Sequence, residues 1–346
     1  MEKGNIAYSV LELALVPQDS SIKQTLNNSL ALAKEAEALN YKRIWFAEHH
    51  NSEYVGSNAP SILIGYVAEN TNSIKVGSGG IMLPNHSPLV VAEQFGTLAH
   101  LYPDRIELGL GRAPGTDMDT AQAIRSDFMK AAHSFPQEVA KIQNYFSVEN
   151  KNSKVRAAIA EGTHVPIYIL GSSTDSAHLA AEKGLPYAFA SHFASTHLIN
   201  ALNIYREEFQ PSAVLKSPYT IAGINVFVAD TDEQAEHLFT TLIRMFVGVL
   251  TGTSTALQPP TAMTDELRSM LQHPAVHQML KYSFVGSKQT VKQQVQAFLS
   301  ETKVDELIVV TPTYNLEDRI KSVQLFSEVM NEINAKASYS NVTVSK

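Results

Sequence analysis

Short apolar runs of the kind that form buried β-strands alternate along this chain with longer segments of helical periodicity. Within residues 25–39 and 315–330, apolar residues recur on one face of the helix that each segment would form. Such an alternation indicates a parallel sheet wrapped by helices. The predicted strands are residues 7–13, 43–47, 74–83, 105–109, 165–170, 187–191, 221–229 and 306–311.

Eight predicted strands with helices between them, in a chain of 346 residues, favour a closed (β/α)₈ TIM barrel over an open sheet. We expect a single barrel domain over residues 1–335, followed by a flexible tail over residues 336–346. The alternation breaks at residues 248–284, because a Thr- and Pro-rich stretch precedes a separate helical pattern there. We therefore predict an inserted lid segment at residues 248–284.

The composition narrows the classes of function. The formal net charge is -7 and no block of Lys and Arg stands out, so the chain lacks the charge that nucleic-acid binding requires. No apolar run is long enough to cross a membrane, and no apolar leader opens the chain, so we expect a cytoplasmic protein. With 0 Cys, thiol and iron–sulfur chemistry is excluded, and redox chemistry would require a bound cofactor.

Polar loops follow four of the predicted strands. The carboxyl ends of barrel strands meet on one face and carry the chemistry of barrel enzymes. We therefore expect these loops to converge on one site. They are EHHN at residues 48–51, PNHSP at residues 84–88, GRAPGTD at residues 111–117 and GSSTDS at residues 171–176.

The loop after the fifth predicted strand has the features of an anion site. Gly171 ends the strand, and Ser172 leads into a helix predicted to begin near Thr174. Helix N-terminal N–H groups bind phosphate, and Arg112 from the fourth loop would add a charge-assisted contact. Ordinary N-capping by a Ser or Thr hydroxyl is the alternative.

The histidines after the second and third strands admit three interpretations. His49 and His50 are adjacent, whereas metal ligands are usually spaced further apart and need further partners, so a metal site is disfavoured. A proton-transferring acid or base is favoured, because imidazole titrates near physiological pH. A structural role is the third interpretation, and His86 admits the same choices.

Glycine-rich segments give two further indications. The run from Gly77 to Gly80 lies inside the third predicted strand, where it marks either a bulge or the close approach of a ligand. The glycines from Gly109 to Gly115 do not have the G-x-G-x-x-G spacing, so no nicotinamide-binding fingerprint is present.

Four segments taken together resemble the bacterial luciferase family of flavin-dependent oxidoreductases, in the order in which that family carries them. The resemblance extends from near the N-terminus to about Gln324. Within the family, the chain resembles single-subunit, alkanal-monooxygenase-like bacterial enzymes more closely than luciferase subunits. Of the four segments given next, the second and third are the most specific to the family. The segments are FAEHH, VGSGGIMLPNHSPLVVAEQF, DRIELGLGRAPGTD and LGSSTDSA.

The resemblance implies FMN bound across the strand ends, with its ring system against Gly79-Gly80, which match a non-proline cis peptide of the family. His49 matches the catalytic histidine, and His50 is a second choice. Glu48 is assigned to the cofactor site and is also a second choice for catalysis. The phosphate is expected at Arg112, Gly171, Ser172 and Ser176.

The resemblance implies a monooxygenase that oxygenates a small organic molecule. Reduced FMN would be supplied by a separate reductase. It would react with O₂ to form a flavin C4a-(hydro)peroxide, which is the oxygenating species. A homodimer without a metal is expected. Three alternatives stay open: a deazaflavin-dependent hydride transfer, a non-catalytic flavin-binding protein, and a metal-dependent barrel hydrolase using His49, His50 and His86.

Departures from the family pattern limit what the resemblance implies. Luciferases carry Ala-Ala where this chain has Gly79-Gly80, which would leave more room beside the flavin. The family's glutamate near the phosphate is replaced by Gly171. Light emission is therefore not implied, and the lid segment at residues 248–284 matches no luciferase pattern.

Overall fold

Parallel strands form the centre of the molecule. The computed structural model describes the backbone of residues 5–344 and the side chains of residues 5–336. The strands of this described part all pair in parallel. They are β1 (Ala7–Glu12), β2 (Arg43–Phe46), β3 (Lys75–Met82), β4 (Ile106–Gly111), β5 (Ile167–Gly171), β6 (Tyr187–Phe189), β7 (Thr220–Ala229), β8 (Ser283–Ser287) and β9 (Glu306–Val310).

Eight of these strands close into a barrel. Their order is β6-β5-β4-β3-β2-β1-β9-β7, and the pairing of β6 with β7 completes the ring. The predicted (β/α)₈ TIM barrel is thus confirmed, and each predicted strand is present with shifted ends. β8 was not predicted. It pairs with the carboxyl half of β7 outside the ring, and its alternating burial leaves no continuous apolar run in the sequence.

Helices surround the barrel. The helix predicted at residues 25–39 begins earlier, because the Ser21 hydroxyl accepts a hydrogen bond from the Gln24 N–H and caps it. The helices are α1 (Ile22–Ala38), α2 (Pro60–Glu69), α3 (Pro88–Leu101), α4 (Met118–Ile124), α5 (Phe128–His133), α6 (Phe135–Phe146), α7 (Thr174–Lys183), α8 (Leu198–Glu208), α9 (Asp232–Thr251), α10 (Asp265–Gln272), α11 (Pro274–Leu280), α12 (Lys288–Thr302) and α13 (Leu316–Val344).

The last helix, α13, begins one residue after the start of the segment predicted as helical at residues 315–330 and continues to Val344. The tail predicted at residues 336–346 lies almost entirely outside the residues whose side chains are described. No helix in the described part of the chain is long and apolar enough to cross a membrane.

A buried ion cluster fills the amino end of the barrel. Arg43, at the start of β2, donates to Glu107 over 2.7 Å and to Glu306 over 3.1 Å. Burial alone would lower the pKa of Arg43, but the two carboxylates outweigh it and raise that pKa. Trp45 Nε1 and the Tyr168 hydroxyl donate to Glu107 over 2.9 Å and 3.2 Å. The cluster therefore holds four strands, β2, β4, β5 and β9, together at the end opposite the loops discussed below.

Glu107→Gln tests this cluster. The free energy of unfolding should fall by about 3 kcal/mol, the lower end of the cost of breaking a buried ion pair, because Glu306 still faces Arg43. Urea denaturation of both proteins measures the change. Glu328→Gln, which removes an exposed partner of Lys288, is the control and should leave the midpoint unchanged. An unchanged midpoint for Glu107→Gln would show that the cluster does not stabilise the barrel.

Candidate active site

A large cavity, called the main cavity below, opens where the carboxyl ends of the barrel strands meet. Its volume is about 970 Å³, at the upper end of the range of about 300–1,000 Å³ common for ligand sites. The predicted site residues that line it are Glu48, His49, His50, Gly79, Arg112, Gly171, Ser172 and Ser176. Gly80 is absent from this lining although it follows Gly79, and His86 instead lines a smaller neighbouring cavity of about 540 Å³.

Glu48 is the buried anion of the site. Its carboxylate accepts hydrogen bonds from Nε2 of His50 over 2.8 Å and from Nε2 of His86 over 2.8 Å. The Met82 N–H and the Asn85 amide donate over 3.0 Å and 3.1 Å. Burial raises the pKa of Glu48, but hydrogen bonds from the two histidines and Met82 overcome this effect and lower the pKa to about 2. Glu48 is therefore ionised at neutral pH.

His49 points a different way from its neighbour. Its main chain is fixed on both sides, since its N–H donates to the Ser57 carbonyl over 3.0 Å and its carbonyl accepts from the Asn58 amide over 2.8 Å. Its Nδ1 is buried and has no hydrogen-bond partner among the described residues. Burial lowers the pKa of His49 more than Glu48 raises it. The ring is thus a neutral imidazole at pH 7, able to accept a proton.

His192 joins this group, although the sequence patterns do not single it out. It follows β6, lines the main cavity, and is buried. Burial, with a smaller contribution from His49, lowers the pKa of His192 to about 3. A single histidine in the loop ASHFAST has no neighbouring motif to mark it. Its position directly after a predicted strand was the one available signal.

The glycines of β3 form a bulge. The register with β4 shifts between Ser78 and Ile81, and the peptide bond between Gly79 and Gly80 is cis, as the resemblance implied. A Cβ added to Gly79 would lie 2.7 Å from Leu11 Cδ1. The additional room expected beside these glycines is therefore filled by Leu11, while the Gly79 backbone faces the main cavity.

The α7 N-terminus forms another part of the cavity wall. Its N-cap residue, Ser173, makes no side-chain capping bond, so the ordinary capping alternative is not what the loop adopts. A Cβ on Gly171 would overlap with the Ser176 hydroxyl, which donates to the Ser173 carbonyl over 2.8 Å. Ser176 thus shapes the loop from within, whereas exposed Ser172 and the first-turn N–H groups are available to an anion.

Arg112 reaches this helix end from the loop after β4. Its guanidinium lies 3.1 Å from the Asp175 carboxylate, and the two side chains are 49% and 66% exposed. An exposed pair of this kind contributes little stability, so an incoming anion can compete for Arg112. The predicted grouping of Arg112 with the α7 N-terminus is what the structure shows.

No cluster of three or more His, Asp or Glu side chains in the described part of the chain could hold a metal ion. His50 and His86 both direct Nε2 at Glu48 instead. Nothing in these residues favours the metal-dependent hydrolase.

Comparison with known proteins identifies the family. The model of the family described as luciferase-like monooxygenase matches residues 8–306. The chain belongs to the luciferase-like monooxygenase family. A luciferase-like monooxygenase of Escherichia coli (strain K12) is 45% identical, covering 96% of this chain and 99% of the relative. The N-acetyl-S-alkylcysteine monooxygenase of Bacillus subtilis (strain 168) is 28% identical, covering 94% and 98%. The solved structure of apo-MsnO8 is 31% identical with a TM-score of 0.86, covering 94% and 99%.

In this member of the family the segment predicted as a lid supplies an apolar wall. The loop that follows α9 is tied to the loop after β1, because the Leu257 N–H donates to the Val16 carbonyl over 2.9 Å and the Gln18 N–H donates to the Leu257 carbonyl over 2.9 Å. The apolar residues that α9 and the predicted lid contribute to the cavity are Leu242, Met245, Phe246, Val249, Leu257 and Met279.

Glu48→Gln tests the buried anion through stability. The carboxylate's pKa falls from its ordinary 4.5 to about 2, which corresponds to about 3 kcal/mol of stability. Because the folded-state pKa is lowered, this contribution is complete above pH 4.5 and is lost as the pH falls towards 2. Denaturation from pH 7 to pH 3 should show the parent's advantage over Glu48→Gln shrinking. Glu93→Gln, on the exposed face of α3, should show no such convergence. A constant difference across this range would contradict the assignment.

Proposed function

We propose that this chain is a monooxygenase that uses reduced FMN and O₂ to oxygenate a small, uncharged organic molecule bound in the main cavity. The observation that carries the proposal is the combination in one cavity of an uncapped helix N-terminus beside Arg112, the bulged β3 backbone, and the buried neutral His49. These features fit the phosphate, the flat ring and the reacting end of one elongated cofactor.

The phosphate of FMN would lie at Ser172, Arg112 and the first-turn N–H groups of α7. The ring would lie along Gly79. When bound, reduced FMN supplies two electrons, so that one atom of O₂ enters the substrate and the other leaves as water. The apolar wall from α9 and the predicted lid keeps bulk water away from this reaction.

His49 would transfer the proton. Its ring is neutral near pH 7 because burial lowers its pKa. A neutral imidazole facing the reacting end can take a proton from a reacting hydroxyl and return it to the departing oxygen. Ionised Glu48, its sequence neighbour, would stabilise the imidazolium while the ring holds the proton.

His49→Ala tests this role. Product formation should fall by roughly a hundredfold, the usual scale for a positioned acid or base, while FMN affinity stays similar. Steady-state product analysis with a flavin reductase and fluorescence titration with FMN measure the two quantities. His164→Ala, at an exposed position, is the control. Unchanged turnover in His49→Ala would remove His49 from the mechanism.

Anaerobic titration of the protein with reduced FMN, followed by rapid mixing with air-saturated buffer, tests the function itself. We expect binding, and an absorbance transient that decays more slowly than free flavin reoxidises. Binding without a transient or product would favour a non-catalytic flavin-binding protein. Dependence on a deazaflavin, with no binding of FMN, would overturn the proposal in favour of hydride transfer.

The proposal includes a separate reductase and a homodimer. Because the nicotinamide fingerprint is missing from residues 109–115, the purified protein should not oxidise NADPH at a useful rate.

A substrate screen should include thioethers, since one relative is named an N-acetyl-S-alkylcysteine monooxygenase.

A further inference from the structure

His192 is held in place by several contacts, and none of the roles described above uses this residue. Its carbonyl accepts a hydrogen bond of 2.6 Å from the amide of Asn225 in β7. The same amide lies 3.1 Å from the Ser283 hydroxyl in β8. The ring packs edge-on against Phe193, with 4.9 Å between the ring centroids. His192 is therefore fixed in place where the barrel meets the segment predicted as a lid.

The loop that carries His192 is also tied to α11. The Ser195 hydroxyl donates to the Gln278 carbonyl over 2.5 Å, and the Gln278 amide donates to the Thr196 hydroxyl over 2.9 Å. Met279, the next residue of α11, belongs to the apolar wall of the main cavity. His192 thus lies on the side of the cavity where this wall begins.

The two ring nitrogens of His192 have different surroundings. Nδ1 is buried and has no hydrogen-bond partner among the described residues. It faces Gly223, where an added Cβ would collide with it. Nε2 is the polar atom left for the main cavity that the residue lines.

These surroundings select one tautomer of the neutral ring. A hydrogen on Nδ1 would point an unpaired donor at the Gly223 Cα–H group, which is unfavourable. A hydrogen on Nε2 leaves the Nδ1 lone pair against that C–H group and frees the N–H to donate into the cavity. Burial, followed by the effect of His49, keeps the pKa of His192 at about 3, so the ring stays neutral in ordinary buffers.

We infer that His192 is a fixed hydrogen-bond donor that recognises a neutral acceptor oxygen on an otherwise apolar ligand. The inference rests on the proposed function, because that proposal makes the main cavity the site where the substrate binds. The test below measures binding alone and does not require the proposed reaction. Charged side chains of the described residues line the cavity only at Glu48, which the histidines surround, and at Arg112 with Asp175, beside α7. The apolar wall therefore favours a molecule without charge, and His192 fixes which end of it enters.

A matched pair of probes tests this recognition on the flavin-free protein. 2-Octanone carries a carbonyl oxygen, and 2-methyl-1-octene replaces that oxygen with a CH₂ group of similar shape. A neutral hydrogen bond is worth about 1 kcal/mol, so the preference for the ketone, expressed as the ratio of ketone to alkene affinity, should be about fivefold greater in the parent than in a variant without the N–H donor. Calorimetric or NMR titration measures both affinities without any flavin chemistry.

Substitutions then locate the donor. His192→Phe keeps a ring but removes the N–H, and should lower the ratio of ketone to alkene affinity about fivefold. His192→Gln restores a donor and should recover part of the preference. Gly223→Ala should also weaken it, because the new methyl group would displace the His192 ring. His133→Phe, at an exposed histidine that lines the same cavity, is the control and should keep the preference.

No binding of the ketone to the parent would overturn the inference. Preference retained in His192→Phe would overturn it too. These outcomes are separate from those of the proposed function, since loss of FMN binding or of turnover would leave the probe preference intact.

Discussion

The site depends on an ionised carboxylate that has no contact with solvent. Transfer of such a group from water costs several kcal/mol unless donors replace its hydration. Around Glu48, donors come from its own loop through His50 and from the end of β3 and the following turn through Met82, Asn85 and His86. The loops after β2 and β3 therefore cannot move independently. His49 lies between two residues of this arrangement, so the position of its ring depends on the same bonds.

At the α7 N-terminus, which also lines the main cavity, polar groups are instead left without partners in the described part of the chain. At α7 the groups that could bind an anion are left available: Ser173 does not cap the helix, and among the described residues Arg112 pairs with an exposed carboxylate. Such a pair is easily exchanged for a phosphate because both side chains are already solvated. The Glu48 carboxylate is thus satisfied by the protein itself, whereas the α7 N-terminus is left for a ligand to satisfy.

The sequence predicts the barrel well because most of its strands are buried on both faces and therefore form short apolar runs. β8 is covered on one face, so its SFVGS sequence carries no such run. The four polar loops were predictable from their positions after strands. The bonds within the site were not, because Glu48 and Asn85 are 37 residues apart and no pattern in a single sequence pairs them. His192 lacks even a local motif, and only the packing of Gly223 and Asn225 around it shows that its ring is fixed.

The two buried histidines of the cavity have opposite relations to charge. His49 follows Glu48, whose negative charge raises its pKa and partly offsets burial. His192 receives no such help, and His49 lowers its pKa further. Two imidazolium ions so placed would repel each other in a medium of low dielectric constant. A proton that enters this region is therefore held at His49, and His192 keeps its neutral form throughout. One ring is suited to moving a proton, and the other to holding a hydrogen bond of constant direction while the proton moves.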